Sequence, residues 1–154
     1  MIEEAITTSQ QVINEFLEDM RKQLIAYMDA EDRNATGKAK ASIQVVNVTE
    51  TLGQLVGAQY IQYVFKGRPP GKMPPINKIV DWCNARGLPR SYAWGVAKTI
   101  AESGTLLYQS GRNIFDEIIT EAKIDAFIKS IAVIYTVKLN TEITSLFYPA
   151  NNSK

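Results

Sequence analysis

The sequence predicts an α+β protein, with a small antiparallel β-sheet packed by a long N-terminal helix and several shorter helices. Three observations predict this class. Apolar residues recur at helical spacing over the first 30 residues, β-branched residues concentrate between 43 and 51, and short helical stripes bounded by Gly and Pro follow. The 154 residues suit one domain with a real core. We expect that domain to span residues 1–149, with a frayed tail at 150–154.

The first predicted element is a helix from Ile2 to Ala30, a segment that contains neither Gly nor Pro. At 1.5 Å per residue such a helix is ~40 Å long, more than the ~30 Å diameter of a small domain. We therefore expect part of it to pack on a neighbouring subunit. Its apolar stripe consists of Ile6, Ile13, Phe16, Leu17, Met20, Leu24 and Met28.

A β-hairpin is predicted after a polar break and a short helix. The short helix is expected over residues 35–42, with Thr36 as its N-cap. Residues 43–51 then alternate as a strand, residues 52–54 form a turn, and residues 55–58 continue as a second strand. The pair forms the hairpin that starts the sheet.

A stiff, positively charged loop follows an aromatic run. The run, residues 60–65, is compatible with helix or strand, and its tyrosines Tyr60 and Tyr63 are expected in the core with hydroxyls that reach water. Residues 66–75 contain four prolines, which fix φ and push the preceding residues to extended angles. This segment is therefore a loop, and it carries three positive charges.

Three helical segments complete the prediction. One starts after Pro75, buries Cys83 and ends at Gly87, and the next is capped by Ser91 and ends near Gly104. The sheet, the proline loop and these short helices thus occupy residues 35–110. A C-terminal helical region is expected over 114–149, although residues 133–146 are also compatible with a strand that would extend the sheet. Its core candidates are Ile118, Ile119, Ala122, Phe127, Ile131 and Ile134.

The composition excludes several kinds of chemistry. One cysteine and no histidine rule out an intrachain disulfide, zinc sites built from Cys and His, and histidine as general base. Thr36-Gly37-Lys38 lacks the remaining residues of a phosphate-binding loop, and no Gly-x-Gly-x-x-Gly is present. We expect no catalytic residue, no cofactor and no metal, hence no enzyme. No apolar run reaches the ~18 residues that span a membrane, so no membrane partner is expected.

Charge is unevenly distributed along the chain. Residues 1–33 carry eight acids and three bases, a balance of −5. Residues 34–100 carry nine bases and two acids, a balance of +7, and residues 101–154 carry six acids and five bases, a balance of −1. Unlike patches on one subunit favour head-to-tail contact between copies, because they steer association and fix register.

The succession of short motifs between residues 35 and 121 resembles the tail-completion or head–tail joining proteins of tailed bacteriophages, which belong to the phage neck. The order is a long helix, a Thr-Gly-Lys step, a hairpin, an aromatic run, a proline loop and two short helices. The matching pieces are Ala35 to Lys38 with Ser42-Ile43, Tyr60 to Phe65 with Gly67-Arg68, Arg68 to Pro75, Ile79 to Trp82 with Arg86 to Leu88, and Ala93 to Ile100 with Gly104-Thr105.

This resemblance implies a structural virion protein, assembled in the host cytoplasm and located at the head–tail interface. Copies would form a homo-oligomeric ring between neighbouring portal or connector proteins and tail proteins. Packaged DNA would pass nearby without sequence-specific binding, which suits a net charge of only +1. The sequence departs from the family pattern at Phe65-Lys66, where the family often has a glutamate, and it aligns less well after Ala122.

The candidate contacts between subunits, or with other virion proteins, lie in the proline loop and at two tryptophans. Arg68 and Lys72 would meet acidic groups of a neighbour. Equally compatible is a loop that only reverses the chain, and tryptophans that are partly buried core residues. The full set is Arg68, Pro69, Pro70, Gly71, Lys72, Met73, Trp82 and Trp94.

An alternative function is a nucleic-acid-binding module. The predicted helices 76–86 and 91–103, joined across Gly87 and Pro89, have the spacing of a helix-turn-helix. The second helix offers Lys98 as a base but also carries Glu102, whereas recognition helices usually present more donors to base edges.

Overall fold

The computed structural model describes residues 2–33 and 36–147, with side chains described from Ser9 onward. In these residues it contains eight helices and one two-stranded antiparallel sheet, which confirms the α+β class. The elements are α1 Ile2–Ala30, α2 Lys38–Ser42, β1 Gln44–Val46, β2 Gln54–Val56, α3 Ile61–Lys66, α4 Ile76–Ala85, α5 Tyr92–Ser103, α6 Leu106–Gln109, α7 Ile114–Ile118 and α8 Glu121–Phe147. The predicted tail 150–154, Ala35 of the short helix and the side chain of Ile6 lie outside this description. No helix of the described ranges is long and apolar enough to cross a bilayer.

Contacts group the chain into two compact units. The larger comprises residues 20–44 and 55–118, and the smaller comprises the described residues of 1–19, 45–54 and 119–154. The long helix α1 contributes its C-terminal part to the larger unit and its N-terminal part to the smaller.

The core of the larger unit forms around Phe65 of α3. Its ring lies 4.9 Å from that of Phe115 and 6.0 Å from that of Tyr27, at tilted angles that suit aromatic pairs. The buried members of this core come from α1, α2, α3, α6 and α7, so short elements with little stability of their own are held by shared packing. They are Leu24, Met28, Ala39, Ile43, Phe65, Leu107 and Ile114.

The smaller unit packs α8 and the hairpin turn against α1. Phe16 of α1 stacks on Phe127 of α8 with ring centroids 4.3 Å apart. The hydroxyl of Tyr135 donates to the carbonyl of Glu50 at 2.9 Å. A Cβ on Gly53 would lie within 2.6 Å of Ile13 and Leu17 side chains, so the turn approaches α1 this closely because residue 53 is glycine.

The hairpin is confirmed, but its strands are shorter than the predicted 43–51 and 55–58. Asn47 adopts φ 53°, a left-handed conformation that ends β1 after Val46. Beyond it, the amide of Thr49 donates to the carbonyl of Leu52 at 2.7 Å and closes the turn. A local backbone choice at Asn47 thus overrides the β-branched pattern.

Both predicted side-chain caps are wrong. Helix α2 begins after Gly37, whose φ of 74° suits glycine, and Thr36 precedes that residue. Ser91 precedes α5 as expected but has helical backbone angles, and its hydroxyl makes no capping bond within the described residues. The ends of α4 and α5 at Ala85 and Ser103 agree with the prediction, and Cys83 is buried.

Two core predictions are also wrong. The aromatic run forms α3, which turns Phe65 inward and leaves Tyr60 and Tyr63 exposed. Residues 133–146 are helical, part of α8, all of whose residues are described and none of which is buried. Of the predicted C-terminal core residues, Ile118 is half-buried against the core of the larger unit, Ala122 is exposed, and Ile119, Phe127, Ile131 and Ile134 are half-buried. Among the described residues, other elements cover α8 on one side only.

Candidate assembly surface

The proline loop, residues 67–75, connects α3 to α4 and is clamped to the junction between α5 and α6. The amide of Arg68 donates to Thr105 Oγ1 at 2.9 Å, and the amide of Thr105 donates to the carbonyl of Arg68 at 2.9 Å. Further along, the amide of Gly71 donates to the carbonyl of Ala101 at 2.8 Å. Three backbone donors are thus satisfied across the loop, which fixes its position on the helical layer.

Two glycines make this close approach possible. Gly67 has φ 77°, and a Cβ there would overlap the backbone nitrogen of Tyr108. Gly104 has φ 76°, and a Cβ there would lie 2.7 Å from the carbonyl oxygen of Arg68. Both positions therefore require glycine for backbone angle and for space. The prolines make the loop stiff, and these two glycines allow it to pack closely on the segment that follows α5.

The clamped loop divides the predicted contact residues into two groups. Arg68 is half-buried, its guanidinium donates to the carbonyl of Lys72 at 2.9 Å and lies 5.7 Å from the Tyr63 ring centroid, so it holds the loop together. Met73 is half-buried. Pro69, Pro70, Gly71 and Lys72 are exposed and form the outer edge of the loop.

The two tryptophans also differ. Trp82 on α4 is half-buried, and the guanidinium of Arg86 lies 5.2 Å from its ring centroid. Arg86 in turn donates to the carboxylate of Asp32 at 2.8 Å and to the carbonyl of the same residue. Trp82 thus belongs to an intramolecular stack. Trp94 on α5 is 64% exposed, so of the two tryptophans it is the one available for contact with a partner.

An open groove runs beside the loop, between α3 and the segment that joins α6 to α7. Its volume is about 530 Å³. Exposed tyrosine rings, Tyr63 and Tyr108, line it together with two cationic side chains, Lys66 and Arg112. The remaining lining residues are Gln62, Gly67, Pro69, Gly111 and Asn113. Aromatic surface next to positive charge suits a protein segment with acidic groups.

Arg112 is held in place at this groove by Glu117. Two hydrogen bonds of 2.9 and 2.8 Å join the guanidinium to the carboxylate, a bidentate arrangement. The hydrogen bonds from Arg112 lower the pKa of Glu117 below its ordinary value, and the same pairing raises the pKa of Arg112. Lys66 lies 5.8 Å from the ring centroid of Phe115 and is exposed.

Sequence reasoning located the loop but missed what anchors it. Thr105, Gly104 and Tyr108 lie about 37 residues beyond Arg68, and no local pattern links them. The short helix α6, Leu106–Gln109, was not predicted either. The signal that could have found this contact is Gly104 followed by Thr105, a hydroxyl that can accept from a backbone amide.

Comparisons of this chain with protein-family models, curated proteins and solved structures found no match.

Proposed function

We propose that this chain is a structural subunit of the neck of a tailed bacteriophage. Copies form a ring that links the portal side to the tail and lines the path of the exiting DNA. The order of motifs that resembles head–tail joining proteins motivates the proposal. The observation that carries it is the proline loop, which is rigidly clamped at Thr105 and yet exposed along Pro69 to Lys72.

A rigid exposed loop favours an assembly role because docking then costs little conformational entropy. The loop lies beside a groove with two exposed tyrosines and the exposed Lys66, where Glu117 offsets the charge of the second cation, Arg112. Trp94 is a further large exposed aromatic of the same unit. Aromatic anchors and a charged rim are typical of protein interfaces, and an acidic segment of a neighbouring virion protein is the partner they suit.

The proposal is tested by removing the gene from the phage genome that carries it and examining particles by electron microscopy. We expect DNA-filled heads and separate tails, with joining restored when the chain is supplied from a plasmid. Normally tailed particles without the chain would contradict the proposal.

The contribution of the loop is tested in the same complementation assay. Lys72→Glu reverses charge at the exposed edge, and we expect at least a tenfold loss of infectious particles. Lys78→Glu, at a lysine on α4 that is also exposed but lies outside the loop, is the matched control and should complement normally. Equal titres for both variants would exclude the loop edge from the contact.

A nucleic-acid-binding module is the second candidate, and one observation favours it. Helices α4 and α5 pack on each other on either side of the 86–91 turn, and α5 exposes Trp94 and Lys98. Lys98 lies 3.8 Å from Glu102, however, which offsets its charge toward a phosphate. Fluorescence anisotropy with duplex DNA separates the two candidates. Sequence-selective binding lost in Trp94→Ala would favour this second function, and weak binding abolished by moderate salt would favour the neck protein.

A further inference from the structure

Helix α8 exposes large apolar residues on more than one side. One side, including Phe127 and Tyr135, is half-buried against its own unit through the Phe16 ring and the Glu50 carbonyl. No residue of this 27-residue helix is buried, although it is rich in Ile, Val and Leu. Apolar helix surface of this extent is normally covered by another element. The described residues of the chain cover only one side of α8.

Six of the eight large apolar residues that α8 exposes fall on two flanks, each about 100° round the helix axis from the half-buried side, and the other two, Ile143 and Phe147, lie between the flanks near the C-terminal end. The large-residue flank carries four big aliphatic side chains that are 40–78% exposed, namely Ile124, Ile128, Leu139 and Leu146. The small-residue flank carries Ala126, Ser130, Val133, Val137 and Thr144. Between the flanks, opposite the half-buried side, the helix presents polar residues as far as Asn140, namely Asp125, Lys129, Thr136 and Asn140.

The hydroxyls on the small-residue flank do not prevent its burial. Ser130 Oγ donates to the carbonyl of Ala126 at 3.0 Å, and Thr144 Oγ1 donates to the carbonyl of Asn140 at 2.7 Å. Each hydroxyl is thus satisfied within the helix, so an apolar neighbour can cover it without leaving an unpaired donor. Val133 and Val137, 63% and 58% exposed, supply the apolar surface between them.

We propose that the large-residue flank of one copy packs on the small-residue flank of the next copy, so that successive α8 helices stand side by side around the ring. This inference rests on the proposed ring and names the surface that closes it. Two different flanks on one helix make a head-to-tail contact, which is the kind of contact that generates rings. A self-pairing dimer would need only one of them.

Large residues on one flank lie at nearly the same heights along the helix as small residues on the other flank. Three of the four large residues follow a member of the small-residue flank by two positions, namely Ile128 after Ala126, Leu139 after Val137, and Leu146 after Thr144. Cyclic symmetry keeps neighbouring helices at equal height, so each of these three side chains meets a small one within ~3 Å along the axis. Large residues on small ones is the arrangement that fills a helix interface without voids.

The area of this contact indicates how the ring forms. Nine side chains make up the two flanks, fewer than the ~20–30 residues a side of a standard interface, so we expect the contact to bury less than the roughly 1,200 Å² at which stable interfaces begin. An isolated pair of copies therefore associates weakly. Closure gives every copy two such contacts, so the ring is favoured at high local concentration, as on a portal. The polar residues between the flanks then remain at water.

Paired cysteines test the contact in the full chain at high concentration under mild oxidation. The double variant Val137→Cys/Leu139→Cys places one thiol on each flank, pointing too far apart to join within one helix. Cys83 is buried and does not compete. We expect a ladder of disulfide-linked species on a non-reducing gel. Thr136→Cys/Asn140→Cys, on the polar side between the flanks, should give no ladder.

Charge exchange supplies a second readout that does not depend on disulfide geometry. Leu139→Lys or Val137→Glu alone should weaken association at least tenfold by sedimentation or mass photometry. The double variant should recover it, because each interface then pairs a lysine with a glutamate of the next copy. Failure to recover, absence of a ladder, or efficient dimers from Leu139→Cys alone would overturn the contact.

These outcomes separate the contact from the proposed function. A ladder from a chain whose deletion leaves tailed particles intact would support the contact and contradict the neck function. Rings that form normally when both flanks carry charged residues of one sign would contradict the contact and leave the neck function standing.

Discussion

Arg68 and Thr105 hold each other through a reciprocal pair of hydrogen bonds. The amide of Arg68 donates to the hydroxyl oxygen of Thr105, and the amide of Thr105 donates to the carbonyl of Arg68, both at 2.9 Å. One threonine thus fixes the start of the proline loop by its side chain and its backbone together. The position of the exposed loop edge depends on this pair.

Replacing Thr105 by valine removes the hydroxyl acceptor at nearly constant volume. The Arg68 amide is then left without its partner, and we expect the free energy of unfolding to fall by about 1–2 kcal/mol. Denaturant titration measures the loss, and hydrogen exchange should show reduced protection of the Arg68 amide. Thr99→Val is the control, since that hydroxyl donates only to Gly95 on the exposed side of α5. Equal effects of the two substitutions would argue against the clamp.

Gly67→Ala should be more damaging than a typical surface change. The residue combines a positive φ with overlap of the new Cβ on the backbone of Tyr108. We expect a loss of about 2–3 kcal/mol in the free energy of unfolding, from strain and displacement of the loop. Gly95→Ala is the matched control, because a Cβ there meets nothing within 4 Å among the described residues. In the helix α5, that change should stabilise by up to ~1 kcal/mol.

The sequence was informative where a periodic stripe and Gly or Pro acted together. The apolar stripe of α1 and the ends of α4 near Pro75 and Gly87 could be predicted because local residues determine them. The left-handed backbone conformation of Asn47 could not be predicted, since it depends on the turn that follows. The predicted surroundings of Tyr63 and Arg68 were wrong because distant segments, above all α6, supply their neighbours. No sequence pattern indicated that α8 would bury none of its residues.

Arg112→Gln should raise the pKa of Glu117 toward its ordinary value, because the hydrogen bonds that lower that pKa are lost. The stabilisation from this pair is present above the ordinary carboxyl range and is lost as pH falls through the pKa of the folded state. The side-chain carboxyl carbon of Glu117, followed by NMR against pH, measures this. Arg112→Lys keeps the charge without the bidentate bonds and should give an intermediate midpoint. An unchanged midpoint in Arg112→Gln would contradict the pairing.

The stack of Phe16 on Phe127 should appear as a coupling energy in the smaller unit. In a double-mutant cycle with alanine at each position, we expect the two losses to be non-additive by about 0.5–1.5 kcal/mol. Thermal or denaturant unfolding at low protein concentration provides the four values. Ile128→Ala, one residue along α8 on the exposed side, should change the stability of the monomer by less than ~0.5 kcal/mol. Additive losses at Phe16 and Phe127 would show that the rings do not interact.

The three-residue strands of the hairpin affect how readily copies of the protein aggregate at high concentration. Strand β1 ends at Val46 because of Asn47, so its edge offers few unpaired backbone donors and acceptors to an extended chain. Short margins are poor templates for edge-to-edge aggregation. A sheet with so short an edge therefore favours solubility at high protein concentration.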